Sequence, residues 1–309
     1  MRRILAILLL LPLITVLHAP APAHRAARVS AGDVTLRAVR AGTGRPTLLF
    51  LHGYGESVVT WQGVFDRLAR HHAALAVDLP GFGLSDKPEG RYDFPTQLAR
   101  LDAVVEAIRG PVVVIGHSMG GQLAAGLALS RPEQVVAAVL VAPAGDSVGL
   151  GGLVDSLGAS GAAALGWWEA ARSWALPVHA PAWLDDGPLA DYDPLADPAF
   201  RAAASSAAKD FDFTALRERF AEIRQPVLLL WGTLDPVVPY AVGERLARTI
   251  PCARLLTFPR TFHRPQAIHP ERVAAAIETF LSALEPAGAC PFPGREFTAE
   301  DAEGRGGMR

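Results

Sequence analysis

The chain has 309 residues, 50% of them hydrophobic and 19% charged, enough to bury a full core in one large domain and too apolar for disorder to dominate. A formal net charge of -2 and a pI near 6.5 leave no basic stripe for nucleic acid and no acidic tail for a basic partner. The expected partner is therefore a small molecule.

The N-terminus opens with the basic Met1-Arg2-Arg3, continues nearly all apolar over 4–17, and offers small residues for cleavage at Ala19-Pro20-Ala21-Pro22-Ala23. That pattern predicts residues 1–23 as a secretory signal peptide or an N-terminal membrane anchor, with the protein periplasmic, secreted or tethered by this segment alone. The apolar run is short for a bilayer span, which favours cleaved export.

Beyond it, short β-branched or Leu-rich runs alternate with longer amphipathic stretches, the pattern of an α/β fold with a mostly parallel central sheet flanked by helices. Strands are predicted over 34–38, 47–51, 74–78, 112–115, 137–141, 227–231 and 254–258, and helices over 94–108, 119–130, 242–248 and 271–284. Several of these strands are unbroken apolar runs, as expected where both sheet faces are buried. The core is thus expected over 24–146 and 223–285.

Between them, 147–222 breaks the alternation with Gly149–Gly152, an Ala-rich stretch and repeated prolines. Four of the six tryptophans lie here, Trp167, Trp168, Trp174 and Trp183, so the segment is too apolar for a solvated linker and reads as an inserted helical lid. Residues 286–309 turn to Pro, Gly and charge and read as a disordered tail. Cys252 and Cys290 belong to no CxxC or Cys/His pattern, so neither metal nor redox chemistry is indicated. In an exported chain they can pair and tie the tail to the domain; two unpaired thiols is the other reading.

The strongest chemical signal is Gly116-His117-Ser118-Met119-Gly120-Gly121, between a predicted strand and a predicted helix. This is a G-x-S-x-G elbow in its required context: the sharp turn lifts the Ser118 hydroxyl out of the backbone and leaves no room for side chains two positions away. A serine hydroxyl is a poor nucleophile at neutral pH and needs a base, and that base needs an orienting group. Asp235 follows the strand 227–231, and His263 follows the strand 254–258, both at carboxyl ends where ligands bind in such sheets. Asp146 is the second candidate acid. Among the other histidines, His52 and His117 read as scaffold of the elbow and its neighbouring loop, and His269 stands at a helix start before Pro270-Glu271.

Taken together, 34–284 resembles the α/β-hydrolase superfamily. His52-Gly53-Tyr54-Gly55 resembles the loop after the third sheet strand, which implies backbone N–H donors to an oxyanion from Tyr54 and Met119. Asp78-Leu79-Pro80-Gly81-Phe82-Gly83-Leu84-Ser85 resembles the family's D-x-P-G-x-G-x-S turn, in which the aspartate is structural. Pro270-Glu271 stand at the family's spacing from the catalytic histidine, whereas Phe262 occupies a position where a small residue is common.

The resemblance implies a cofactor-free serine hydrolase, with Ser118, His263 and Asp235 as triad, cleaving the carboxylic ester of a medium, apolar small molecule. A carbon–carbon hydrolase of the diketone-cleaving type shares the Ser-Met-Gly-Gly elbow and is the alternative; a non-catalytic small-molecule-binding member is the third. Haloalkane dehalogenases and epoxide hydrolases carry Asp at the elbow, which argues against both.

Overall fold

The computed structural model describes residues 24–146, 194, 196–284 and 290. The segment 1–23, most of the expected lid with its four tryptophans, and the tail other than Cys290 lie outside the described residues. Eight strands form one sheet: β1 (Arg25–Ala31), β2 (Val34–Ala41), β3 (Thr47–Leu51), β4 (Ala74–Val77), β5 (Val112–His117), β6 (Val135–Val141), β7 (Val227–Gly232) and β8 (Ala253–Phe258), in the order β1-β2-β4-β3-β5-β6-β7-β8. The contacts from β4 through β8 are parallel, while β1 and β2 pair antiparallel with each other and β2 pairs antiparallel with β4. The expected mostly parallel sheet is what forms.

Helices cover both faces. On one side lie α2 (Phe94–Ala107), α3 (Met119–Ser130) and α5 (Tyr240–Thr249), contributing Leu101, Leu123 and Leu246 to one core cluster, which Phe200 of α4 (Pro198–Asp210) joins from above the loops that follow β3 and β4. On the other lie α1 (Gln62–Leu68) and α7 (Pro270–Ser282), with Phe65 and Ile277 in the second cluster; the short α6 (Pro265–Ile268) precedes α7. Strand β3 serves both, with Leu49 and Leu51 facing the first cluster and Leu48 and Phe50 the second. This two-sided burial explains why its sequence shows no polar alternation.

The sheet order contains a reversal that positions the site. From β3 the chain crosses to β4 on one side, whereas β5, β6, β7 and β8 follow one another on the opposite side. The loops leaving the carboxyl ends of β3 and β5 therefore diverge and open a crevice between them, the place where open α/β sheets take ligands.

Strand β1 went unpredicted, because Arg25–Ala31 has no apolar alternation; backbone pairing with β2 along its full length holds it, from Arg25 opposite Arg40 to Ala31 opposite Val34. Its arginines suit an exposed sheet edge, where charge discourages pairing with another chain. Helix α1 was also unpredicted, while α4 is a helical part of the segment expected as lid. Cys252 and Cys290 are joined in a disulfide with Cα atoms 5.6 Å apart.

Asp78 has the structural place that the motif implies. Its Oδ1 accepts from the N–H of Val58 at 2.7 Å, its Oδ2 from the N–H of the half-buried Leu84 at 2.9 Å, and the buried Arg37 stands at 3.8 Å. A Cβ on Gly83 would overlap this carboxylate, so the turn requires glycine there. Removing the acceptor leaves two backbone donors and a buried cation without it. Asp78→Ala is expected to lower unfolding stability by about 3–5 kcal/mol, read as a fall in the urea midpoint; an unchanged midpoint contradicts this account.

Candidate active site

The elbow is built as its glycines require. Ser118 has φ 51° and ψ -116°, a left-handed conformation that side chains rarely adopt, and it stands as N-cap of α3 without its side chain capping the helix. Its backbone is pinned on both sides: its N–H donates to the Val141 carbonyl, and its carbonyl accepts from the N–H groups of Gln122 and Ala144, each at 3.0 Å. A Cβ on Gly116 would overlap the Gly120 carbonyl, and one on Gly120 would overlap the carbonyls of Leu51 and His52. The glycines thus let strand, helix and neighbouring loop come together at Ser118, which is half-buried and within reach of solvent. The first N–H groups of a helix have no intrahelical acceptor, so the start of α3 presents donors beside this hydroxyl.

The loop after β3 supplies the facing wall. The His52 ring nitrogen Nε2 accepts from the Leu79 N–H at 2.8 Å, so the ring proton sits on Nδ1, which donates to the Gly53 carbonyl at 2.7 Å. Burial lowers the pKa of His52, in keeping with a neutral ring. In a trans peptide the carbonyl and the following N–H point opposite ways, so fixing the Gly53 carbonyl also fixes the Tyr54 N–H. Tyr54 is anchored at its far end as well: its hydroxyl donates to the Ala204 carbonyl of α4 at 2.7 Å, and its ring packs edge-on to Phe82 at 5.5 Å. Burial raises the pKa of this phenol, so it acts as a structural donor and not as an acid.

Asp235 and His263 meet directly, with Oδ2 2.7 Å from Nδ1 and both side chains almost fully buried. The other carboxylate oxygen, Oδ1, accepts from the N–H groups of Val237 and Val238 at 2.8 and 3.0 Å, which leaves Oδ2 to the imidazole. The two loops are also tied to each other: the Leu234 N–H donates to the Thr261 carbonyl at 3.0 Å, and the Thr233 N–H to the Phe258 carbonyl at 3.1 Å. Gly232 is obligatory here, since a Cβ would overlap the carbonyls of Thr261 and Phe262.

The alternatives separate in space. Asp146 is engaged by Arg245 at 2.8 Å, and His269 bonds to Thr261 Oγ1 at 2.9 Å. His263 lies beside the elbow: the His117 ring nitrogen Nε2 is 3.0 Å from the His263 carbonyl, and the two rings are 4.7 Å apart. Phe262, the residue before His263, and Leu234, the residue before Asp235, are both exposed.

Two charged residues of this neighbourhood escaped the sequence reading. Glu56 and Arg264 are buried and form an ion pair at 3.0 Å, with the Glu56 Oε2 also 3.0 Å from His117 Nδ1. The available signal was a lone acid in the loop after His52-Gly53 and a basic residue directly after His263.

Comparison with known proteins agrees with this fold. The model of the alpha/beta hydrolase family matches residues 48–276. A pimeloyl-[acyl-carrier protein] methyl ester esterase of Nitrosomonas europaea is 29% identical over 252 residues, covering 75% of this chain and 94% of the esterase. A 2-(acetamidomethylene)succinate hydrolase of Mesorhizobium japonicum is 27% identical over 268 residues, covering 83% and 95%. Among solved structures, a serine hydrolase involved in carbazole degradation superposes with a TM-score of 0.63 at 25% identity, over 84% of this chain and 99% of that one. With the family model spanning the sheet from β3 into α7, the chain belongs to the alpha/beta hydrolase family and is a hydrolase by fold and by kinship.

Proposed function

We propose that this hydrolase is a carboxylesterase acting on a medium, apolar small molecule through Ser118, His263 and Asp235. The observation that carries the reading is the buried 2.7 Å contact of Asp235 with His263, whose backbone is bonded to the residue preceding a strained, solvent-reachable Ser118. Asp235 holds the proton of His263 on Nδ1 and leaves Nε2 as the base. Ser118 loses its proton to His263 as its oxygen bonds to the acyl carbon. The resulting oxyanion is met by the N–H groups of Tyr54 and Met119, each lowering the barrier by about 3 kcal/mol. Collapse expels the alcohol with a proton from His263, and water, deprotonated by the same imidazole, then releases the acid and regenerates the hydroxyl.

The apolar substrate preference is supported by Phe262 and Leu234, exposed and adjacent in the chain to His263 and Asp235, and by the aromatic seat of α4, where Phe200 packs on Phe82 at 6.0 Å. Residues 147–222 serve as the lid in this reading. Export is proposed on the leader sequence, supported by the Cys252–Cys290 bridge, since disulfides persist in oxidising compartments. No helix among the described residues is long and apolar enough to cross a membrane.

Wild-type protein is expected to hydrolyse short p-nitrophenyl esters and to accept a fluorophosphonate probe, and Ser118→Ala to lose both while keeping its melting temperature. Turnover of vinylogous diketones with little ester hydrolysis would replace this reading with carbon–carbon bond hydrolysis. Failure of the folded wild-type protein to label would replace it with a binding role. Asp235→Asn is expected to lower kcat by about 10⁴-fold, whereas Asp146→Asn leaves kcat within about twofold of wild type, since Asp146 is held by Arg245 and Arg217 and not by His263, and such an ion-pair partner acts mainly on stability. Equal losses in the two variants contradict the assignment of the acid.

A further inference from the structure

Both loops that the proposed reaction needs converge on one buried carboxylate. Glu56 lies in the loop after β3, three residues beyond Gly53, and its Oε2 accepts from the Gly53 N–H at 2.9 Å. The same oxygen is 3.0 Å from Nδ1 of His117, the residue before Ser118. Its Oε1 is 3.0 Å from Nε of Arg264, the residue after His263. Arg264 is steadied in turn by a 3.2 Å hydrogen bond to Thr60 Oγ1, and Gln266 donates to the same hydroxyl at 3.4 Å. Glu56, His117 and Arg264 are all buried.

His117 places Nδ1 against the Glu56 carboxylate and Nε2 against the His263 carbonyl at 3.0 Å. A carbonyl and an ionised carboxylate only accept, so serving both requires a proton on each ring nitrogen. Burial alone would raise the pKa of Glu56, but the charges of His117 and Arg264 and the bonds from His117 and Gly53 outweigh it and hold the carboxyl well below the usual range. The group is packed from the loop after β3, from the end of β5 and from the loop before α6. Its charged and titratable neighbours there are His117, Arg264, His263 and the neutral His52. Gly53 is required for the approach, since a Cβ there would stand 2.8 Å from His117 Nδ1.

We propose that Glu56 is a positioning residue for the hydrolysis, holding the oxyanion loop through Gly53 and the base loop through a doubly protonated His117 and Arg264. The proposal rests on the esterase reading for its chemical consequence and, for its protonation state, on the hydrogen-bond geometry around a Glu56 carboxylate paired with Arg264. Substrate touches none of the three residues in this scheme. Their loss misplaces groups that act in the transition state, so it falls on kcat and not on KM.

The test uses the full chain. Glu56→Gln is expected to lower kcat for a p-nitrophenyl ester by about 100-fold, the cost of a displacement near one ångström, with KM within about threefold of wild type. Fluorophosphonate labelling should slow in proportion to kcat. Because loss of the carboxylate beside the buried Arg264 can unfold the single variant, Glu56→Gln combined with Arg264→Gln removes both charges, and the same loss of kcat is expected. Wild-type kcat in either folded variant overturns the proposal.

An independent readout needs no turnover. Nitrogen-15 spectra of histidine-labelled protein at neutral pH, with His117 assigned by loss of its signals in His117→Asn, should show protons on both ring nitrogens. In the double variant one nitrogen should lose its proton. A bare ring nitrogen on His117 in the wild type overturns the proposal, whatever the activity. Ser118→Ala keeps this signature while losing labelling, so failure of the esterase reading and failure of the positioning role give different results.

Discussion

The hydrogen bond from His263 to Asp235 is the constraint on which the rest of the site depends, and it is a product of strand order. Strands β7 and β8 are parallel neighbours in register, with Gly232 opposite Phe258, so both chains leave the sheet at the same height. The loops that follow bond to each other before either reaches the elbow. A carboxylate and an imidazole 28 positions apart are thereby brought within 2.7 Å, in the interior, with the second carboxylate oxygen already occupied. In such surroundings the orientation of the ring is set before any ligand arrives, which suits His263 to the proposed role of a base that acts without reorganisation.

The sheet was largely legible because its strands are short apolar runs bounded by turns. Strand β3 and helix α3 were predicted with both ends correct, and the strands before Asp235 and His263 to within a residue at each end. Strand β5 runs two residues past its predicted end, because pairing with β6 continues through Gly116 and His117 up to the turn at Ser118. What stayed hidden was whatever does not depend on side-chain periodicity. Strand β1 is specified by backbone pairing, and α1 has only two turns in which to show a pattern.

At the site, the elbow was readable because its glycines answer a local steric demand, and Asp235 and His263 were readable because their loops end strands at the ligand-binding edge. Asp235 stood ahead of Asp146 on sequence, and the coordinates separate the two: both follow strands of the same sheet, but only the strand before Asp235 lies beside the one that leads to His263. The Glu56 and Arg264 pair was out of reach for a different reason. Its partners are separated by 208 positions, and a contact between two distant loops leaves no repeat, spacing or motif in either.

The Cys252–Cys290 bridge lies at the far end of the molecule from this chemistry. Cys252 precedes β8 and its carbonyl accepts from the N–H of Val227 where β7 begins, so the covalent tie sits at the amino edge of the sheet. Six residues of β8 separate it from the carboxyl edge, a distance of about 20 Å at the usual strand rise. Redox conditions and the proposed proton path are therefore mechanically insulated from one another: reduction would cut the covalent tie at one edge of the sheet and leave the Asp235–His263 contact at the opposite edge intact.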